Sequence, residues 1–307
     1  MKFTSVILIF LSTLGCSEKT GNNQRAEINE ADPHTIKSSQ YELVKTKDQT
    51  GLLILFPGFS ENVTDIKNEF NILEEATGQG VSILFMTFNR HLYLEDHEQI
   101  SLASLIDEII DENKLNAENI YIGGFSSGGN VSLSLTNYLI KAKNPIKPKG
   151  VFIVDSPVDL LELFYVTKRN LEHDFSEASI REAKWLLNLL NSDFGDPQNG
   201  IEKYEQYSPY TSATSNINNV AYLDSLKIRL YTEPDTVWWR KNRQNESTDL
   251  NAFYIKKLSI EMTQKLGNPR VDLIETENRG YQANGERHPH SWAIVDEKEL
   301  IRWILEE

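Results

Sequence analysis

The chain is poor in cysteine and in positive charge. Its 307 residues include a single cysteine, Cys16, so a disulfide bond within the chain is excluded. Lysine and arginine number 31 against 45 aspartate and glutamate residues, and the net charge is −14. Proteins that bind nucleic acid meet its phosphates with a basic patch, so this balance argues against a nucleic-acid partner. The content of 39% hydrophobic and 25% charged residues is typical of a folded protein with one large core.

The chain also lacks an apolar run long enough for a comfortable membrane span. Residues 3–14 form an apolar stretch of the length of a signal-peptide core, preceded by a lysine. The stretch ends in a Leu-Gly-Cys sequence at Cys16 that resembles the lipobox of bacterial lipoproteins, with Thr13 where leucine is usual. The resemblance implies that residues 1–16 are a signal peptide and that Cys16 carries a lipid anchor in the cell envelope. It also implies, from Ser17, the outer membrane, facing the periplasm or the surface. An ordinary secreted protein with an incidental cysteine is the alternative.

Residues 17–40 are polar and contain no aromatic residue, which predicts a flexible tether. From residue 41 to residue 307, short apolar runs alternate with longer amphipathic stretches. The runs predict an edge strand at residues 41–44 and buried strands at residues 52–56, 81–88, 120–122, 151–154, 228–231 and 271–274. The alternation predicts an α/β fold, with a mostly parallel central sheet of about seven strands and flanking helices.

Helical periodicity falls between and after these runs. Apolar residues recur at helical spacing in residues 101–110, 131–140 and 300–305. Asp296 is the expected N-cap of the last of these helices. The interval from residue 154 to residue 228 is too long for one crossover, and it contains a further helical pattern at residues 178–190. We therefore predict a helical cap inserted at about residues 158–225.

A glycine-rich run carries the clearest chemical signal. Residues 123–129 contain the pattern G-x-S-x-G around Ser126, after a predicted strand and before a predicted helix. Gly124 and Gly128 flank the serine, where a sharp strand-to-helix turn leaves no room for side chains. Ser126 would then stand at a helix N-terminus, which favours developing negative charge. A phosphate-binding loop is the alternative, but Asn130 stands where such a loop needs lysine.

These features resemble the α/β-hydrolase superfamily, from about Gly51 to the C-terminus. The family places an oxyanion-hole loop after an early strand, and here Pro57-Gly58 takes the place of the usual His-Gly. The resemblance implies that the backbone N–H groups of Phe59 and Ser127 form the oxyanion hole. A plain turn at Pro57-Gly58 is the alternative.

The family orders its triad as serine, then an acid, then histidine, and the chain can supply that order. The resemblance implies Asp235 as the acid, because it follows the strand predicted at residues 228–231. Glu233 and Asp159 are the alternatives. His290, close to the C-terminal helix, is implied as the base, with His288 as its rival.

The implied chemistry is acyl transfer on an ester. His290 takes the proton of Ser126 through Nε2, and its Nδ1–H faces Asp235. Water then hydrolyses the acyl-enzyme. Neither a metal nor an organic cofactor is expected. A serine peptidase on the same fold and a non-catalytic binding protein on a hydrolase scaffold remain alternatives. So does a metal site on His288 and His290, which face the same side of an extended chain.

The substrate is expected to be a small molecule or a glycan ester, with the membrane met only through the N-terminal anchor. Trp238, Trp239 and Arg90 are candidate pocket residues, because an aromatic wall could stack a sugar or another ring. Arg240 and Arg243, which follow the tryptophans, could meet a carboxylate. The alternative is that the tryptophans pack under the cap.

Overall fold

The computed structural model describes residues 34–173 and 175–306. The predicted signal peptide, the lipidation residue Cys16 and residues 17–33 of the predicted tether lie outside the described residues. The remainder of the tether prediction is wrong, because His34–Lys37 form a β-strand. This strand, β1, pairs antiparallel with the next one. Regular structure therefore begins before residue 41.

The sheet in the described part of the chain has eight strands, in the order β1-β2-β4-β3-β5-β6-β7-β8. Strand β2 runs antiparallel to both of its neighbours, and β3 to β8 are parallel to one another. The strand predicted at the edge of the sheet, residues 41–44, corresponds to β2, and it is internal because β1 pairs with its outer side. The strands after β1 are β2 (Tyr41–Lys45), β3 (Gly51–Phe56), β4 (Val81–Met86), β5 (Ile120–Phe125), β6 (Pro148–Val154), β7 (Lys227–Thr232) and β8 (Val271–Glu275).

The helices that connect these strands include those predicted from periodicity. They are α1 (Val63–Glu69), α2 (Ile72–Gly78), α3 (Asp96–Glu112), α4 (Ser127–Lys141), α5 (Leu160–His173), α6 (Glu177–Phe194), α7 (Glu202–Tyr207), α8 (Thr236–Arg243), α9 (Asn251–Gln264) and α10 (Glu297–Leu305). Asp296 caps α10 as predicted, since its carboxylate accepts a 3.1 Å hydrogen bond from the backbone N–H of Glu299. Within residues 34–173 and 175–306, every helix is too short or too polar to span a membrane.

Helices cover the sheet on both faces, which explains its continuous apolar strands. Along β3, Leu53 and Leu55 face a core shared with α1, α2 and α10, while Leu52 and Ile54 face a core shared with α3 and α4. All four side chains are fully buried. A strand buried on both faces has no polar position to alternate with, so it reads as an unbroken apolar run.

The segment between β6 and β7 contains α5, α6 and α7, and it packs through a separate apolar cluster that includes Leu92 and Phe59. Helix α6 contains the helical pattern predicted at residues 178–190. The parallel strands β3, β5, β6 and β7 all end at the same edge of the sheet. Open α/β sheets bind ligands at this carboxyl edge.

Candidate active site

Ser126 lies at the turn between β5 and α4, in a strained backbone conformation with φ 51° and ψ −123°. The turn requires glycine on both sides. A Cβ on Gly124 would lie 2.2 Å from the carbonyl oxygen of Gly128, and a Cβ on Gly128 would lie 2.3 Å from the carbonyl oxygen of Pro57. Such positive φ values in a non-glycine residue occur where the surrounding structure enforces them, often at functional sites.

The hydroxyl of Ser126 makes no hydrogen bond to any residue that the structure describes, and it lines a cavity that His290 also lines. The backbone N–H of Ser126 donates a 2.8 Å hydrogen bond to the carbonyl oxygen of Val154, which ties the turn to β6. The side chain is therefore free to meet a ligand. Catalytic hydrogen bonds often form only when the substrate is bound.

The imidazole of His290 is held by Asp155 and not by the predicted acid. Its Nδ1 lies 2.7 Å from Oδ2 of Asp155, and its ring lies against Phe125 with the centroids 4.5 Å apart. Since the carboxylate only accepts, Nδ1 carries a proton, and in the neutral imidazole Nε2 is then an acceptor. This arrangement suits a general base.

Asp155 is positioned by contacts to two strands and a helix. It directly follows β6, is buried, and has a positive φ of 44°. Its Oδ1 accepts a 2.6 Å hydrogen bond from the hydroxyl of Thr232 at the end of β7. Its carbonyl oxygen accepts a 2.8 Å hydrogen bond from the amide of Asn251 in α9. The carboxylate therefore has little freedom to turn away from His290.

The prediction that Asp235 contacts His290 is wrong. The carboxylate of Asp235 caps α8 through the N–H of Trp238 at 2.9 Å, and it pairs with Arg287 at 2.7 Å. Glu233 is buried and pairs with the same arginine. Glu233 also accepts hydrogen bonds from groups in the loop that carries the histidines: the hydroxyl of Thr276 and the N–H groups of Arg279 and Gly280. Both carboxylates thus hold that loop to the end of β7.

Asp159, the third acid considered, does not contact His290 either. Its carboxylate accepts hydrogen bonds from the backbone N–H of Glu162 at 3.1 Å and of Ser212 at 2.7 Å. Burial raises its pKa, against the effect of these hydrogen bonds. It serves as a cap at the start of α5.

The two N–H groups predicted to form an oxyanion hole are available. Neither Phe59 nor Ser127 donates its backbone N–H to an acceptor within residues 34–173 or 175–306. The carbonyl of Phe59 accepts a 2.9 Å hydrogen bond from the N–H of Arg90, which helps to fix the loop that carries Phe59. Ser127 opens α4, so its N–H lies at the positive end of the helix.

Glu61 is a site residue that the sequence reasoning missed. Its Oε2 accepts hydrogen bonds from the backbone N–H of Gly58 at 2.7 Å and from the indole N–H of Trp292 at 3.2 Å. It therefore ties the loop of Phe59 to the segment that follows His290. Burial raises its pKa, and these hydrogen bonds oppose that rise. Its position shortly after Pro57-Gly58 was the only local signal.

His288 lines the cavity beside His290 but has a different environment. Its Nδ1 lies 2.9 Å from the carbonyl oxygen of His290, and its ring meets the rings of Trp238 and Trp239 edge-on. Burial lowers its pKa to about 4. His288 is therefore neutral at neutral pH. Among the described residues, no group of three or more His, Cys, Asp or Glu side chains is arranged to hold a metal ion.

The cavity has a volume of about 500 Å³ and extends from Ser126 to α5, α6 and α8. Of the three predicted pocket residues, Trp239 lines it. Trp238 and Arg90 are not among the described residues that line it, so those two predictions are wrong. Trp238 packs on His288 instead, and the side chain of Arg90 is exposed.

The chain resembles solved structures over most of its length. MPT51 of Mycobacterium tuberculosis superposes with a TM-score of 0.55 at 12% identity, over 89% of this chain and 96% of that one. A structure described as a putative esterase from Staphylococcus aureus gives 0.53 at 11% identity, over 94% and 88%. An esterase of the bacterial hormone-sensitive lipase family gives 0.54 at 14% identity, over 89% and 82%.

No protein-family profile and no curated protein matches the sequence. At such low identities the structural likeness shows the fold alone. The eight-stranded, mostly parallel sheet of the described residues and the likeness to these structures indicate the same fold. The chain has the α/β-hydrolase fold.

Proposed function

We propose that the protein is a serine hydrolase that cleaves carboxylic esters, with Ser126 as nucleophile, His290 as base and Asp155 as acid. The observation that carries the proposal is the 2.7 Å contact between Asp155 and His290 beside a strained serine that lines the same cavity. The esterases and lipases among the structural neighbours support the choice of an ester.

In the proposed reaction, Nε2 of His290 takes the proton of Ser126 as Oγ attacks the carbonyl carbon. The carbonyl oxygen becomes negative and is stabilised by the N–H groups of Phe59 and Ser127. The intermediate collapses, the bond to the alcohol oxygen breaks, and His290 returns its proton to that oxygen. Water then attacks the acyl-enzyme by the same route and releases the acid. The carboxylate of Asp155 stabilises the charged imidazole.

The test is labelling of the purified full-length chain with a fluorophosphonate, followed by mapping of the adduct by mass spectrometry. We expect one adduct, on Ser126, and its loss in Ser126→Ala and His290→Ala. Ser127→Ala is the matched control, because it removes a neighbouring hydroxyl but keeps the backbone N–H. Absence of an adduct on folded protein would contradict the proposal. Turnover of amides in preference to esters would favour a peptidase.

We also propose that the chain is anchored in the cell envelope through a lipid on Cys16, as the Leu-Gly-Cys sequence suggests. Growth of expressing bacteria with an alkyne fatty acid should label the wild-type chain and leave Cys16→Ser unlabelled. Equal labelling of both would contradict the proposal.

A further inference from the structure

The wall of the cavity is apolar at one end and polar at the other. The side chains that line it from α5 are apolar near the start of that helix and polar toward its end, and α6 shows the reverse order. They run from Leu163 to Asn170 in α5, and from Ser179 and Glu182 to Trp185 and Leu186 in α6. Because the end of α5 and the start of α6 are adjacent in sequence, their polar ends adjoin. The apolar end lies toward Phe59, which also lines the cavity and whose ring meets the ring of Trp185 edge-on, with the centroids 4.9 Å apart.

The polar end is completed by residues at the end of α8. Arg243 and Asn245 both line the cavity, and Nη1 of Arg243 lies 3.0 Å from Oε2 of Glu182. We call the group Asn170, Ser179, Glu182, Arg243 and Asn245 the polar subsite. The ion pair between Glu182 and Arg243 balances the charge of the subsite, which therefore suits a neutral ligand better than an anion.

Two amides in this subsite have unused hydrogen-bonding capacity. Asn245 is only 4% exposed, and its Oδ1 is buried without a partner in the described part of the chain. The Oδ1 of Asn170 is likewise buried without a partner among those residues. Buried polar groups that stay unpaired oppose folding, so native proteins nearly always pair them. Because both asparagines line the polar end of the cavity, a ligand bound there is the candidate partner for their amides.

We propose that the polar subsite binds the sugar of a sugar ester, with the acyl group in the apolar end beside Phe59. This proposal rests on the proposed hydrolase function. An asparagine amide both donates and accepts, as a sugar hydroxyl does. Trp239, which also lines the cavity, offers an aromatic face for the apolar side of a sugar ring. The reaction consumes water and releases the free sugar hydroxyl and the acid.

The test compares esters that share an acetyl group and differ in the hydroxyl groups of the ring. Monoacetylated methyl glycosides of glucose, galactose and xylose are compared with cyclohexyl acetate. We expect Asn245→Leu and Asn170→Leu each to lower kcat/KM for the preferred sugar ester by about three- to tenfold. Hydrolysis of cyclohexyl acetate should change by less than about twofold. Asn188→Leu, at an exposed position of α6, is the matched control and should change neither.

Stability distinguishes a ligand-binding role from a structural one. Leucine removes an unpaired amide without leaving a large hole, so the two cavity variants should unfold at or above the wild-type temperature. Equal loss of activity on all four esters, or no effect on any, would overturn the subsite. Lowered unfolding temperatures with no change in ester preference would overturn it too.

A direct binding measurement separates failure of the subsite from failure of the enzyme. Saturation-transfer NMR with the unesterified methyl glycosides is carried out on Ser126→Ala and on the same chain carrying Asn245→Leu. Binding to the first and not to the second supports the subsite, even if fluorophosphonate fails to label Ser126. Labelling of Ser126 without binding of any glycoside overturns the subsite and leaves the hydrolase intact, with ordered water then pairing the amides.

Discussion

The carboxylate of Asp155 and the imidazole of His290 lie 2.7 Å apart although 135 residues separate them in the chain. The contact joins the end of β6 to the loop before α10. The acid of the proposed triad therefore directly follows β6, the neighbour of the strand that leads to Ser126, and does not follow β7. This changes which carboxylate should matter for activity.

Asp155→Asn should lower kcat by about 10³- to 10⁴-fold, because an amide in place of the carboxylate favours the wrong tautomer of His290. Asp235→Asn should leave kcat within about tenfold, since Arg287 still pairs with Glu233. Both variants are compared on one short-chain ester and by their rates of fluorophosphonate labelling. A larger loss in Asp235→Asn than in Asp155→Asn would return the acid to β7.

Glu61 should be replaceable by glutamine but not by alanine. Burial raises its pKa, so the fold favours the neutral form, and the stability linked to that proton is lost as pH rises through the raised pKa. Glu61→Gln should therefore unfold at or above the wild-type temperature at neutral pH, with the difference shrinking on acidification.

Glu61→Ala leaves the N–H groups of Gly58 and Trp292 without their acceptor, and should lower stability by about 1–3 kcal/mol. Thermal unfolding from about pH 4 to about pH 8 measures these effects. A marked loss in Glu61→Gln at neutral pH would mean that the negative charge itself stabilises the site.

His288 should contribute to the pH dependence of stability and not to that of activity. Its pKa falls from 6.5 to about 4 on folding, so the unfolded chain binds more protons between these values. This residue therefore makes the fold less stable as pH falls from 6.5 toward 4. His288→Gln should flatten that part of the stability profile and leave the acid limb of the pH–rate profile unchanged. A shifted acid limb would assign His288 a part in proton transfer.

Gly128→Ala should be among the most damaging small changes in the chain. Its Cβ would lie 2.3 Å from the carbonyl oxygen of Pro57, so the loop of Phe59 or the serine turn must move. We expect a loss of about 3 kcal/mol or more, or failure to fold. Gly78→Ala, in the last turn of α2 with no atom within 4 Å of the added Cβ, is the control. It should change stability by less than about 1 kcal/mol. Equal tolerance of both changes would contradict the tight contact.

Much of the fold could be predicted because buried parallel strands appear in the sequence as unbroken apolar runs. The run of Gly51–Phe56 is apolar throughout, and the helices between such runs keep a 3.6-residue period. Strand β1 escaped prediction because His34–Lys37 are few, and three of the four are exposed. It joins the sheet only through pairing with β2, and pairing of that kind leaves no periodic pattern in so short a segment.

The site was harder to predict, and the reason is specific. Ser126 and His290 follow from motif and order along the chain, but β6 and β7 both end near carboxylates at one edge of the sheet. Asp155 at the end of β6 meets His290, whereas Arg287 pairs with both carboxylates that follow β7, Glu233 and Asp235. That pairing spans more than fifty residues, and no local pattern encodes it.

The cavity of about 500 Å³ has a consequence for the scale of the proposed chemistry. Cavities of this size enclose one small molecule. Only a small part of a polymer would fit there, so a polysaccharide or other long chain would present a terminal unit or a substituent to Ser126. The protein would then remove terminal units and substituents one at a time.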